Sequence, residues 1–417
     1  MTRYVVLLII LVLPLTMSAQ QNNLELFISD SIDGGQNEIL EKLKNLPNVE
    51  IGKGITFRPK SDAYEMTIRF RMQNLLGMSF GKKFYLAETE AQVKRLRLRF
   101  DGYIFSPEFI YSIQLGFSSY DTEVIPNGNM NLIRDAVIYY MPNSSWNIGF
   151  GQTKVKSNRA RINSSSALQF IDRSIVNSEF GGDRDFGFFG EYYYGGYDTF
   201  AIATKVSLTL GEGRNWNTSA KGGLAYTGRL ELYPFGRLHG KGEYVEGDLE
   251  DEQAPKLMIG VGYTFNNKAQ RVQGWKGDII DGGETRDICS YYADMVMKYR
   301  GFAFAADYLG RYTPQDAIIS NEQYVYTGSG LNIQLSHLFN GKWEVAVRNS
   351  TMFPDNNLKD IVGYSEWNQS TIGITRYIIG HNLKVQLDIS YNYMSDVCSL
   401  MSNYDRFDVR FQIELGL

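Results

Sequence analysis

The segment VKRLRLRF, residues 93–100, sets Arg95, Arg97 and Arg99 on alternate positions with Leu96, Leu98 and Phe100 between them. Two residues is the period of a β-strand, whose successive side chains point to opposite faces. One face of this segment is therefore cationic and the other apolar. The whole chain carries a formal charge of −4, so a general abundance of arginine does not explain the pattern. The preceding segment, EMTIRFRMQ (65–73), repeats it, with Met66, Ile68, Phe70 and Met72 opposite Arg69 and Arg71.

An arginine facing lipid at the bilayer midplane costs roughly 2–4 kcal/mol. Three would approach ~10 kcal/mol, as much as the whole stability of an ordinary domain. In a membrane-crossing strand the leucines must face lipid and the arginines water. Were the two segments antiparallel neighbours, five guanidinium groups would line one wall of a pore. Like charges on adjacent strands repel, so anions or carboxylates are expected opposite them. A pore lined by Arg or Lys raises the local anion concentration and selects anions, and the guanidinium fork fits phosphate and carboxylate oxygens. The competing reading is structural: the arginines pair with acidic lumen residues.

The same period runs on from residue 61. FIYSIQLGF (109–117), LKVQLDISYNY (383–393) and the closing FDVRFQIELGL (407–417) each alternate apolar with polar. Such alternation predicts strands with one apolar face. Short turns at 106–108, 142–145, 195–196, 300–301, 340–342 and 380–382 alternate with longer polar stretches at 81–91, 121–131, 154–183, 211–221, 267–287, 313–327, 352–366 and 395–404. About sixteen strands thread this scheme, with both ends on the short-turn side. The predicted fold is all-β: a transmembrane antiparallel β-barrel over 61–417, with short periplasmic turns and long extracellular loops. One connection, 234–255, is long yet falls on the short-turn side. Soluble sandwiches alternate too, but their strands are usually nearer five or six residues.

Composition agrees. The 417 residues include 28 Tyr, 24 Phe and 41 Gly against 10 Pro and three His, a balance that suits strands and wet turns. The near-neutral charge argues against nucleic acid as a partner. No zinc-ligand spacing, phosphate loop or nucleophile elbow is present, so no metal, cofactor or enzymatic activity is expected. His239, His337 and His381 have no evident serine and acid partners. Residues 1–19 read as a signal peptide, with Arg3 before the apolar run 5–15 and Met17-Ser18-Ala19 before Gln20. Residues 20–60 form a leader or partial plug, with a short helix in NEILEKLKNL (37–46) stopped by Pro47; it is too short for the folded plug of an active transporter. Cys289 and Cys398 could form a disulfide in an exported protein or stay as two thiols; both readings stand.

The connection 154–183 is basic. It carries Lys154, Lys156, Arg159, Arg161 and Arg173, with Asp172 and the hydroxyls of Ser164, Ser165 and Ser166. Folded into the barrel it would narrow the channel; as a surface loop it would be solvated.

Five stretches together resemble one family. They are IGKGITFRPKSDAYEMTIRFRMQ (51–73), IRDAVIYYMPNSSWNIGFGQTKV (133–155), SSSALQFIDRS (164–174), GRLELYPFG (228–236) and RFDVRFQIEL (406–415). In this order they resemble the phosphate-selective porins O and P across nearly all of the mature chain. The resemblance implies a sixteen-stranded barrel in the outer membrane of a Gram-negative bacterium, in contact with its lipid and commonly a homotrimer. Basic residues would lead small anions (phosphate, polyphosphate or organic acids) to a constriction shaped by the third extracellular loop. The matching positions are Gln152, Lys154, Ser164, Ser165, Asp172 and Arg173, with Arg95, Arg97 and Arg99 as candidates for an arginine ladder. Two departures from the family pattern stand out, one in a residue recognised during barrel assembly and one in lumen charge, and the latter favours a general anion preference over phosphate specificity. The chain ends in Leu417 instead of an aromatic residue, and Lys298, Glu344, Arg348, Asp388, Asp408, Arg410 and Glu414 give the later strands mixed lumen charge. The alternative function is a barrel scaffold that binds other envelope proteins.

Overall fold

The computed structural model describes residues 48–417 apart from 51, 60, 125–129, 216–220, 321–322 and 397–403. The expected signal peptide, the leader helix and Cys398, and with Cys398 the disulfide, lie outside the described residues; Cys289 is buried. Sixteen strands make the barrel. They are β1 (Tyr64–Phe80), β2 (Leu86–Ile104), β3 (Ser106–Gly116), β4 (Ile133–Asn143), β5 (Trp146–Lys154), β6 (Arg184–Tyr194), β7 (Ala201–Thr209) and β8 (Ala225–Tyr233). The second half comprises β9 (Lys256–Ala269), β10 (Arg286–Tyr299), β11 (Phe302–Tyr312), β12 (Gly328–Phe339), β13 (Trp343–Pro354), β14 (Tyr364–Ile379), β15 (Leu383–Asp396) and β16 (Tyr404–Gly416). Each strand pairs antiparallel with the next. The sheet closes where β16 pairs with β1, from Phe407↔Phe80 to Gly416↔Arg71. Closure leaves no sheet edge in lipid, which the bilayer demands because nothing there can satisfy open backbone groups.

The tight turns follow from local backbone chemistry. Between β10 and β11, Arg300 and Gly301 both take positive φ (46° and 79°), the mirror-image turn whose twist matches a hairpin. Two boundaries differ from the sequence reading. Most of 81–91 is strand, because β2 already starts at Leu86. The sheet also begins before residue 61: a hairpin of Asn48–Glu50 and Gly54–Phe57 pairs with β1 (Ile55↔Ile68, Phe57↔Met66). That hairpin takes the edge of β1 that β16 leaves free below Gly416.

Alternation sorts the two faces as the hydrophobic effect requires. Outward positions carry exposed Ile148, Val261, Ile333, Val347, Ile372 and Ile413, while inward ones bury Gln73, Lys205, Glu231, Asp294, Lys384 and Glu414. The lumen is mostly filled by two connections. The loop 155–183 folds inward with two short helices, α1 (Arg159–Ile162) and α2 (Ile175–Phe180), the latter capped by Ser174 Oγ accepting from Asn177 N at 3.1 Å. The far wall satisfies its backbone. Lys384 donates to the carbonyls of Ser166 (2.9 Å) and Leu168 (2.6 Å), Gln386 and Thr375 donate to Gln169 O, and Asp388 accepts from Ile171 N. Val176 and Phe180 of α2 pack on Tyr292, Leu309, Tyr326 and Met352, a small apolar core inside the barrel.

The second filler is the anomalous connection 234–255. It climbs from the short-turn side and meets the first from beneath: Glu246 N donates to Ala167 O, and its carboxylate accepts from Gln169 N, both at 2.9 Å. Lys298 Nζ donates to Val245 O from the wall. Its length thus has a cause, since a tight turn could not reach the lumen.

Candidate functional site

The arginines of β1 and β2 do face the lumen, and they sit in direct register: Arg69↔Arg99 and Arg71↔Arg97. Bare guanidinium groups so placed would repel, and each is met by an acceptor. Arg71 donates to Glu414 at 2.5 Å, Arg99 to Asp101 at 2.5 Å, and Arg69 lies 3.4 Å from Asp101. Arg97 forks onto Asp121 (2.6 and 2.7 Å) and donates a third bond to Ser165 Oγ at 2.6 Å. Arg95 donates to Gln73 and stands 3.8 Å from Asp172. The wall is thus a ladder of partnered cations, with carboxylates among the acceptors opposite them.

Strict alternation would send Lys94 into lipid beside Leu96. A β-bulge prevents this: Gln73 opposes Arg95 but Asn74 opposes Val93, leaving Lys94 as the extra residue. Lys94 and Arg95 therefore both point inward, each 2 % exposed, and Lys94 bonds Asp172. The sequence held the signal for this. A lysine at a lipid-facing parity costs as much as an arginine there, so a register break was the cheaper solution.

Two polar cavities lie along β1–β6, on either side of Ser164–Ser166. The extracellular one measures about 260 Å³. Its wall residues are Arg95 and Arg97 of β2, Arg134 of β4, Lys154 of β5 and Arg184 of β6. Loops add Tyr120, Asp121, Arg161, Ser165, Arg173, Ser178, Asp183, Arg214 and Lys276. Nine of these side chains are cationic and two are carboxylates. The second cavity, about 240 Å³, is lined by Arg69, Arg71, Arg97, Arg99, Gln114, Ser164 and Ser166 among others. Arg97 borders both.

The loop residues singled out by sequence divide into two groups. Lys154, Arg161, Ser165 and Arg173 border the upper cavity and Ser164 and Ser166 the lower one. Gln152, Lys156, Arg159 and Asp172 do not. Gln152 bonds the backbone of β4 and Asn215. Lys156 faces Glu191 at 4.0 Å, and Arg159 is sealed 3.6 Å from Asp307. Asp172 ties the loop to the wall through Lys94 and Arg410. Sequence reasoning missed Lys94, Asp121, Arg134, Arg184, Arg214 and Lys276. Arg134 and Arg184 share the parity of the exposed Ile138 and Phe188 in their strands, and Arg134 is the extra residue of a bulge between Ile133 and Asp135, so alternation did not place them inward; Asp121, Arg214 and Lys276 come from three separate loops that only the fold brings together.

Electrostatics follow from the crowding. Burial alone would raise the carboxyls of Asp121 and Asp183, yet the guanidiniums around them hold both below the usual carboxylate range. Asp172 is lowered likewise, by Lys94 and Arg410 against burial. The cations pay the opposite cost. Burial and the nearby Arg161 push Arg173 down to about 9 and Lys276 down to about 8. Burial is the larger cause for both bases and the neighbouring guanidinium the lesser, and an anion entering beside them would favour their charged forms.

Among solved structures, the fold is similar to the outer membrane channel DcaP of Acinetobacter baumannii (TM-score 0.52, 11 % identity, covering 88 % of this chain and 100 % of that one). An anion-selective porin from Comamonas acidovorans gives TM-score 0.52 at 10 % identity over 85 % and 100 % of the two chains. OprB of Pseudomonas putida gives 0.51 at 9 % over 85 % and 94 %. At such identities the likeness speaks for the fold. No curated protein matches the sequence. The family model of the phosphate-selective porins O and P matches residues 66–414, which span β1 to β16 and the loop that narrows the lumen. The chain belongs to that family and is an outer-membrane porin of a Gram-negative bacterium.

Proposed function

We propose that this porin passes small anions by passive diffusion along the cationic side of its lumen. Phosphate, polyphosphate and organic acids are the candidate solutes, and a homotrimer is the proposed assembly. The carrying observation is the upper cavity, where nine cationic side chains face two carboxylates. In a confined, low-dielectric space such an excess concentrates anions and repels cations. Arg97 borders both cavities, with its guanidinium held by Asp121 and Ser165, so it is the residue we assign to hand an anion from one to the other. Arg95, Arg134, Arg161, Arg173, Arg184, Lys154 and Lys276 attract it to that point, and Arg71, Arg69 and Arg99 receive it below. Ser164 and Ser165 supply hydroxyl donors that replace lost hydration. The partnered state of the ladder suits conduction: neighbouring carboxylates keep each anion from binding too tightly to leave.

The test is the reversal potential of the purified protein in planar bilayers under a potassium chloride gradient, followed by phosphate and acetate. Anion selectivity is expected. A cation-selective or non-conducting barrel would overturn the assignment, and silence together with a stoichiometric envelope partner would favour the scaffold reading.

A further inference from the structure

The connection 234–255 is longer than a hairpin turn requires, and the wall beside it is shaped to receive it. At inward positions β7 carries Ala201 and Ala203 and β11 carries Ala305, whereas the inward positions further along are Lys205, Ser207 and Asp307. Leu238 packs on these alanines together with Tyr233, Met258 and Val296. Alanines facing a water-filled lumen would bury nothing; beneath a resident segment they leave it room and cover its apolar side chains. The foot of the segment is tied to the turn between β10 and β11. Asp248 accepts from Gly301 N and Glu252 O accepts from Arg300 N, both at 2.8 Å. Further up, Lys298 donates to Val245 O at 2.9 Å and His381 Nε2 donates to Glu246 O at 3.1 Å.

Glu246 then reaches the run 164–169 of the loop that narrows the lumen. Its N–H donates to Ala167 O and its carboxylate accepts from Gln169 N, both at 2.9 Å. In the same run, Ser165 accepts from Arg97 through Oγ at 2.6 Å and from Gln73 Nε2 through its carbonyl at 3.3 Å. Lys384 and Gln386 hold other carbonyls of the run from the side, and Glu246 holds it from beneath. A pore-lining group keeps its place only as well as the segment carrying it is supported. We infer that the connection 234–255 is the prop that sets the bore of this pore, with Glu246 as its positioning residue. It keeps Ser165 at Arg97 and the β7–β16 side of the lumen filled, so that solutes are confined to the cationic side. The inference rests on the reading of Arg97 as the crossing point, but what it predicts is a width, which uncharged solutes report as well as ions.

The experiment measures single-channel conductance and the exclusion of polyethylene glycols of graded size, with folding checked by heat-dependent mobility on gels. Excising residues 241–249 joins Gly240 to Glu250, whose side chain already lies against Gly240. In that variant conductance should rise by about twofold or more, because a wider pore carries more current. Larger glycols should enter it, and its anion-to-cation permeability ratio should fall. Glu246→Ala should show the same changes on a smaller scale. Glu246→Gln, whose amide oxygen still accepts from Gln169 N, should conduct as the wild type does. A folded excision variant with wild-type conductance and glycol exclusion would overturn the inference. Should the excised chain not fold, the point variants decide: Glu246→Ala indistinguishable from Glu246→Gln refutes it. A barrel silent both before and after excision would sink this inference and the anion reading together. A wild-type pore that prefers cations would overturn the anion reading alone, since the width is scored with uncharged glycols.

Discussion

The two sides of this lumen use the same residue types for opposite ends. Along β7–β16 the charges are sealed in pairs. Arg229 forks onto Asp294 (2.8 and 2.6 Å) and reaches Glu231 at 2.7 Å, Lys205 lies 3.2 Å from Glu231, and Lys384 lies 3.5 Å from Glu414. The side chains of all six are at most 2 % exposed where these pairs are measured. Along β1–β6 the cations also have partners, but they border open cavities and outnumber the carboxylates. What differs is the covering. The loop 155–183 and the connection 234–255 fill the space against the first wall, whereas along the second the loop touches Lys94, Arg97 and Lys154 and leaves two cavities beside them. A cation in a barrel is therefore a strut or a pore lining according to what packs over it, not according to its strand position.

The largest effect that would test this contrast is on the sealed side. Asp294→Ala removes both carboxylate oxygens that the Arg229 fork grips, leaving it Glu231 alone as an acidic partner, and removes the acceptor of Arg159 N. Losing one partner of a buried ion pair costs about 3–5 kcal/mol. The variant should unfold at markedly lower denaturant or temperature on heat-modifiability gels, with ion selectivity close to wild type; unchanged stability would mean that this side is wetter than the packing implies.

On the open side the order reverses. Neutralising Arg95→Gln and Arg97→Gln together should lower the anion-to-cation permeability ratio by about tenfold, the lower end of what focused charge contributes, with a smaller loss of stability than Asp294→Ala. Reversal potentials give the answer, and equal selectivity in the variant would remove Arg95 and Arg97 from the conduction path.

A finer effect concerns Asp121, whose carboxylate accepts from Arg97 and Arg134 and occupies the place a passing anion would take. Asp121→Asn should tighten anion binding, so that chloride or phosphate conductance saturates at a concentration several-fold lower, by roughly one charge-assisted hydrogen bond. Saturation at the wild-type concentration would show that Arg97 does not exchange Asp121 for the permeant ion.

The smallest effect is on pH. Lys276, pushed down to about 8, loses its charge as pH rises through that value, before an unfolded lysine would near 10.4. Anion selectivity should then decline modestly between pH 7 and 9, while folding gains because the buried charge disappears. Lys276→Gln should flatten both trends; a selectivity that stays constant in the wild type over this interval would place Lys276 outside the conducting space.

Much of the fold was legible along the chain. The arginines of β2 could not face hydrocarbon, so their parity oriented the strand, and the turn-and-loop rhythm supplied strand number and topology. The basic third loop was legible as a candidate constriction, and six of the nine residues singled out in it border a cavity. The others resisted reading because their partners are remote: Asp172 meets Arg410, and Arg159 meets Asp307, across loop and wall. Lys94 stood at a lipid-facing parity, which signalled a register break, but its partner Asp172 lies on a remote loop.

By itself the sequence determined which face of each strand meets lipid, because the cost of charge in hydrocarbon is large and acts on every residue alone. Only the tertiary structure decided which inward charges are neutralised and which stay open to an ion. That depends on distances between side chains brought in by separate loops, and on the connection that happens to lie above them.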